Sequence, residues 1–269
     1  MRYCRFEFNG QAEYGLIESV AGRDTITRLL VEPPEKAADV RDLPSQRIEP
    51  IPFSQAALLV PVRPSKITCV GRNYRAHAAE LGNEVPQEPL LFFKPPSALL
   101  GPGQKILRPK VSQRTEYEAE LGVVIGRRCH KLPPDADVRS YILGYTAVND
   151  FTARDLQKKD NQWVRAKGFD TFCPVGPLVT NEIDPWAGVS VETLVNGQLR
   201  QHGNTRDFIF PLDVIIRYAA DVMTLLPGDL IATGTPEGVG PVVAGDVIEI
   251  AVEGVGTLRN PVENEKASP

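Results

Sequence analysis

The chain has 269 residues, a formal net charge of −4 and 42% apolar residues. That suits one large domain, or a main domain with a small appendage, around a sizeable core. The acidic balance argues against nucleic acid or an anionic membrane surface as partner, no apolar run is long enough to cross a bilayer, and the start MRYCRFEFNG lacks the apolar core of a signal peptide, so a cytoplasmic protein is expected. The cysteines Cys4, Cys69, Cys129 and Cys173 are scattered without a CxxC pair and read as reduced thiols. With His77, His130 and His202 as the only histidines, a His/Cys zinc site is disfavoured. Any metal must then be held mainly by oxygen, which favours Mg²⁺, Mn²⁺ or Ca²⁺.

In chain order, residues 1–31 alternate weakly and predict a small antiparallel sheet with strands over Tyr3–Phe8, Tyr14–Val20 and Thr25–Val31. A Pro- and charge-rich stretch follows, from Pro33 to Pro64, and reads as a linker with a short helix. This predicts a small N-terminal α/β appendage over 1–62 and a main domain over 63–269, opening with the strand ITCVG. Leu121–Ile125 and Tyr141–Val148 are apolar, β-prone runs. Val189–Val195 and Gln198–Gln201 flank Asn196-Gly197, the strongest short hairpin signal. After Pro211, residues Leu212, Ile215, Ile216, Ala219, Val222 and Met223 share one face at helical spacing. Asp246–Val252 alternates as a strand. No βαβ alternation is visible, so the expected class is α+β, mainly β, mixed and largely antiparallel with a few helices.

The stretch TEYEAELGVVIG, residues 115–126, carries the most chemical information. Residues two apart on a strand point to one face, so Glu116, Glu118 and Glu120 aim together. Like charges on one buried face need a positive partner, for which a hard divalent cation is the simplest choice; an ordinary half-solvated strand shows the same alternation. In GRNYRAHAAELG, residues 71–82, His77 and Glu80 are three apart and neighbours on a helix, where a carboxylate can orient an imidazole as general base or simply form a surface pair. In NDFTARDLQ, Asp150 sits at a strand end, as a ligand or as a helix cap. In RAKGFDT, Lys167 lies among small and aromatic residues that could desolvate it against an anion, although a solvated loop lysine reads the same way. ATGTPEGVG, residues 232–240, is a Gly-rich turn offering backbone N–H groups to a carboxylate or phosphate, or a plain hairpin turn; it lacks the Walker ending.

The series VGRNYRAHAAELG, FFKPPSALLGPG, EYEAELGVVIG, GYTAVNDFTARDLQ, RAKGFDTFCPVGP, VNGQLRQ and LIATGTPEGVG resembles the fumarylacetoacetate hydrolase family, from about Lys66 to the C-terminus. The N-terminal 60 or so residues are similar to the accessory domain of longer bacterial members. The resemblance implies a mixed β-roll, a homodimer, and Mg²⁺ or Mn²⁺ held by Glu118, Glu120 and Asp150, with Glu116 outside the ligand set. It implies Lys167 at the substrate carbonyl, a lid helix carrying the dyad His77 and Glu80, and a pocket lined by Arg72, Tyr74, Arg154, Gln157 and Thr235, with Asn73 on the approach to the lid. The implied chemistry is a metal-held enolate of a 2-oxo acid substrate, with acylpyruvate or fumarylpyruvate-type C–C hydrolysis foremost. Oxaloacetate decarboxylation and 2-hydroxyhepta-2,4-diene-1,7-dioate-type isomerisation or tautomerisation stand as alternatives. A non-catalytic, metal-stabilised dicarboxylate-binding protein stands behind them.

Overall fold

The computed structural model describes residues 1–37 and 40–266. Its centre is a twelve-stranded sheet, in which Ser45–Pro52, Arg23–Leu30, Gln11–Val20, Arg2–Phe8, Cys173–Thr180, Ile142–Asn149, Ala119–Ile125, Leu230–Ala232, Ile67–Gly71 and Leu90–Lys94 lie side by side. Neighbours are antiparallel except Leu230–Ala232 against Ile67–Gly71 and the short Leu99–Leu100 strand beside Cys173–Thr180. A five-stranded sheet that includes Ser190–Val195, Val247–Val252 and Gly256–Asn264 packs on the central strands. Every residue of Ala119–Ile125 and of Cys173–Thr180 is buried. Covered on both faces, these strands are apolar at nearly every position, Glu120 being the one charged residue among them, and the half-solvated alternative for residues 119–125 does not hold.

The first three strands form as the alternation predicts, and Arg2 and Tyr3 pair with Thr180 and Val179, so the N-terminal strands extend the large sheet. The expected linker differs. It holds an edge strand, Ser45–Pro52, and short 3-10 turns at Pro34–Lys36, Val40–Asp42 and Phe53–Gln55. Pro50 and Pro52 are tolerated there because an edge strand has one unpaired side. Asn196 and Gly197 take φ of 52° and 75°, the left-handed pair a two-residue hairpin turn requires. The helix after Pro211 spans Leu212–Val222 and buries Leu212, Ile215, Ile216, Ala219 and Ala220. Val222 is 65% exposed and Met223 is extended, because the chain leaves the helix one residue before the apolar pattern ends.

Candidate metal centre and active site

Pairing register brings distant acids together. Ala119 lies opposite Asn149 and Glu120 opposite Val148, so the start of one central strand meets the end of the next. There the Asp150 N–H donates to the Glu118 carbonyl at 2.9 Å, and the Glu118 N–H to the Asn149 side chain at 3.0 Å. Glu118, Glu120 and Asp150 are all buried and offer carboxylate oxygens within 4.8 Å of one another. Glu116 stands outside this trio. The expected single strand breaks at Tyr117–Glu118, and Thr115–Glu116 joins a separate three-stranded sheet. Glu116 there accepts from Arg154 Nε at 2.6 Å and from Arg114.

Buried cations hold two of the three acids. Lys167 ends the short helix Val164–Lys167 and donates to Glu118 Oε2 at 2.7 Å and Asp150 Oδ2 at 2.6 Å. Lys94 donates to Asp150 Oδ1 at 2.6 Å, and Arg154 to Glu118 Oε1. Burial works to raise the Glu118 pKa, but Lys167 and Arg154 overcome it and hold the carboxyl far below the usual carboxylate range. Glu120 has no cationic partner among the described residues; it accepts the Gly234 N–H at 2.8 Å. Burial, then repulsion from Asp150 and Glu118, pushes its pKa well above the ordinary value. Three hard oxygens, one of them on a buried acid lacking a counter-charge, fit a divalent cation.

In the Gly-rich turn, three of the backbone N–H groups serve the protein itself. The Gly234 N–H serves Glu120, the Gly238 N–H donates to Glu80 at 3.1 Å, and the Thr233 N–H goes to the Leu121 carbonyl. Gly234 has φ of 97°, and a Cβ there would lie 2.6 Å from Asn73 Cβ, so the approach of this backbone to Glu120 needs glycine.

A cavity of about 220 Å³ opens over the trio. Its walls include Lys167, Arg154, Gln157, Thr235, His77 and Arg72, together with Lys158, Trp163 and Phe92. His77 belongs to the helix Arg75–Glu80, which covers the cavity; its Nδ1 lies 3.3 Å from Glu80 Oε2. Burial lowers the His77 pKa below 6.5, opposed chiefly by Glu118. Arg72 takes φ of 60°, an uncommon conformation for a residue other than glycine, where the chain turns from the Ile67–Gly71 strand toward the helix. The side chains of Arg72 and Lys158 have no hydrogen-bond or ion-pair partner among the described residues. Tyr74 is not among the cavity walls: it is buried with its ring edge-on to Phe208, and its hydroxyl has no partner among the described residues. Asn73 is likewise a framework residue, tying the Thr233 carbonyl and the Phe210 backbone together.

Two buried polar residues at the site carry no strong local signal. Lys94 ends an apolar strand, and its contact with Asp150 depends on tertiary pairing. Gln201 bridges the Ala119 N–H, Thr193, Thr235 and the Pro236 carbonyl. The hairpin pattern is inverted there, with Leu199 57% exposed and Gln201 fully buried.

Residues 66–263 match the family model described as fumarylacetoacetate (FAA) hydrolase, C-terminal. The chain is 40% identical over 280 residues to the 2,4-didehydro-3-deoxy-L-rhamnonate hydrolase of a Sphingomonas species, covering 97% of this chain and 96% of that protein. A crystal structure of 5-carboxymethyl-2-hydroxymuconate delta-isomerase from Mycobacterium smegmatis is similar with a TM-score of 0.88 and 40% identity, over 98% of this chain and 100% of that one. Fumarylpyruvate hydrolase from Pseudomonas aeruginosa, solved with Mn²⁺ and pyruvate, has a TM-score of 0.70 and 32% identity, over 78% and 92% of the two chains. With this match across most of its length and relatives that are hydrolases and isomerases, the chain belongs to the fumarylacetoacetate hydrolase family of enzymes.

Proposed function

We propose that the protein is a Mg²⁺- or Mn²⁺-dependent hydrolase that cleaves a C–C bond in an acylpyruvate of the fumarylpyruvate type. One observation carries this reading: the acidic trio and His77, whose Nδ1 is held by Glu80, line the same cavity. Glu118, Glu120 and Asp150 would hold the cation, which when bound supplies Lewis-acid polarisation and a template for the 2-oxo acid.

The chain's own groups do the rest. His77 Nδ1 is engaged by Glu80, which leaves Nε2 to take a proton from water attacking the distal carbonyl. The C–C bond electrons then pass into the pyruvate fragment as its enolate, which is protonated and leaves as pyruvate beside the new carboxylic acid. An ammonium has three hydrogens; Lys167 gives two to Glu118 and Asp150 and keeps one for the oxygen where enolate charge develops. Arg154 uses three of its five N–H groups on Glu116, Glu118 and Gln157, fixing Glu118 while it walls the cavity. Arg72 and Lys158, unpaired beside the cavity, favour a substrate with a second anionic end.

A turnover screen tests the reading. With Mg²⁺ or Mn²⁺, fumarylpyruvate should be hydrolysed to fumarate and pyruvate faster than acetylpyruvate. Loss of oxaloacetate or isomerisation of 2-hydroxydienoates without acylpyruvate hydrolysis would overturn it, and no turnover of any of these would leave a binding protein. Lys167→Met should slow every substrate that passes through a pyruvate enolate, by roughly 10²–10³-fold, the range for removing one preorganised donor. An effect confined to a single substrate would contradict the role given to Lys167.

A further inference from the structure

Lys94 is one of the largest fully buried side chains, yet it does not line the cavity. It ends Leu90–Lys94, the edge strand of the large sheet opposite the N-terminal strands, and is paired with Ile67. From that edge its ammonium reaches Asp150, beyond the end of a central strand. It donates to Asp150 Oδ1 at 2.6 Å and to the Phe151 carbonyl at 3.1 Å. The other Asp150 oxygen, Oδ2, accepts from Lys167 at 2.6 Å. Asp150 is therefore clamped, one ammonium to each oxygen, while the Phe151 carbonyl fixes Lys94 itself.

We infer that Lys94 is a positioning residue for the metal centre: with Lys167 it locks the Asp150 carboxylate plane, so that this acid presents its oxygens to a cation in one fixed direction. The inference rests on the reading of Asp150 as a ligand. A carboxylate held at one oxygen can turn about its Cβ–Cγ bond and exchange between one- and two-oxygen coordination; held at both, it cannot. Loss of such an outer contact typically weakens a metal site about 10–100-fold. A lysine that merely balances charge predicts the opposite sign. Removing a positive charge beside the trio lowers the repulsion felt by an incoming dication, so binding would tighten.

The test is a titration of metal-free protein with MnCl₂ followed by electron paramagnetic resonance, which reports affinity and the geometry of the bound ion. Lys94→Gln is expected to bind Mn²⁺ about 10-fold more weakly than wild type, with an altered bound-ion spectrum and unchanged circular dichroism. Equal or tighter binding with the wild-type spectrum overturns the inference. If Lys94→Gln does not fold, Lys94→Arg, which keeps the charge but not the ammonium's fit to Asp150 Oδ1 and the Phe151 carbonyl, is titrated instead: weaker Mn²⁺ binding with an altered spectrum supports the inference, and wild-type affinity and spectrum overturn it. Wild type that binds no more Mn²⁺ than Glu118→Gln would instead sink the metal assignment, so the two failures are distinct.

Discussion

Glu120→Gln is expected to lose bound Mn²⁺ and turnover while its metal-free form melts no lower than wild type. Glu120 is the acid of the trio with no hydrogen-bonded cation among the described residues, and burial and its acidic neighbours oppose its charge more strongly than the nearby Lys167 favours it. Neutralising it removes a ligand and relieves that repulsion. The Gly234 N–H keeps an acceptor in the Gln side-chain oxygen. Losing several kcal/mol of transition-state stabilisation from the cation corresponds to about a 10³-fold drop in kcat/KM. Glu118→Gln should behave differently in the metal-free protein. Glu118 is bonded to Lys167 and Arg154, and removing one partner of a buried ion pair costs about 3–5 kcal/mol. Thermal melts of the two variants in EDTA, beside Mn²⁺ titrations, check both statements. A Glu120→Gln protein as unstable as Glu118→Gln would mean that Glu120, too, is held by a counter-charge.

His77→Ala should lower hydrolysis by about 10²–10⁴-fold, the usual contribution of a positioned base, with Mn²⁺ affinity retained. The pH profile adds a signed test. In the proposed reaction the base is the neutral ring, and burial holds the His77 pKa below 6.5, so the acid limb of kcat/KM should lie below pH 6.5. Glu80 raises that pKa through its hydrogen bond and charge. Glu80→Gln therefore moves the limb to still lower pH, because the ring then stays neutral in more acidic solution. The plateau rate should fall, since the ring loses the group that orients it. An unchanged limb in Glu80→Gln, or a full rate in His77→Ala, would make the dyad a structural pair.

Much of this was legible where physics is local. The Asn196-Gly197 turn depends on short-range signals and formed as read, while the apolar face read from Leu212 to Met223 formed as far as Ala219, with Val222 exposed and Met223 outside the helix. The carboxylate ladder was legible only in part. Its two-residue period ignores the break at Tyr117–Glu118 that sends Glu116 to Arg154 and Arg114. That break depends on pairing with Thr152–Ala153 and Pro241–Val242, which no local pattern encodes. The prolines of Ser45–Pro52 argued against a strand because sequence does not say which strand will lie at an edge. Lys94 and Gln201 were hidden for a related reason: a polar residue in a strand declares its partners only once the sheet has curled.

The peptide from Gly234 to Gly238 has a mechanical consequence. Gly234 suspends Glu120 and, four residues on, Gly238 suspends Glu80, while the Tyr117 hydroxyl grips the Gly238 carbonyl at 3.0 Å. One short span thus ties the Glu120 carboxylate in the acidic trio to the Glu80 carboxylate beside His77. A shift at either end of this span is felt at the other, so the carboxylates of Glu120 and Glu80 move together.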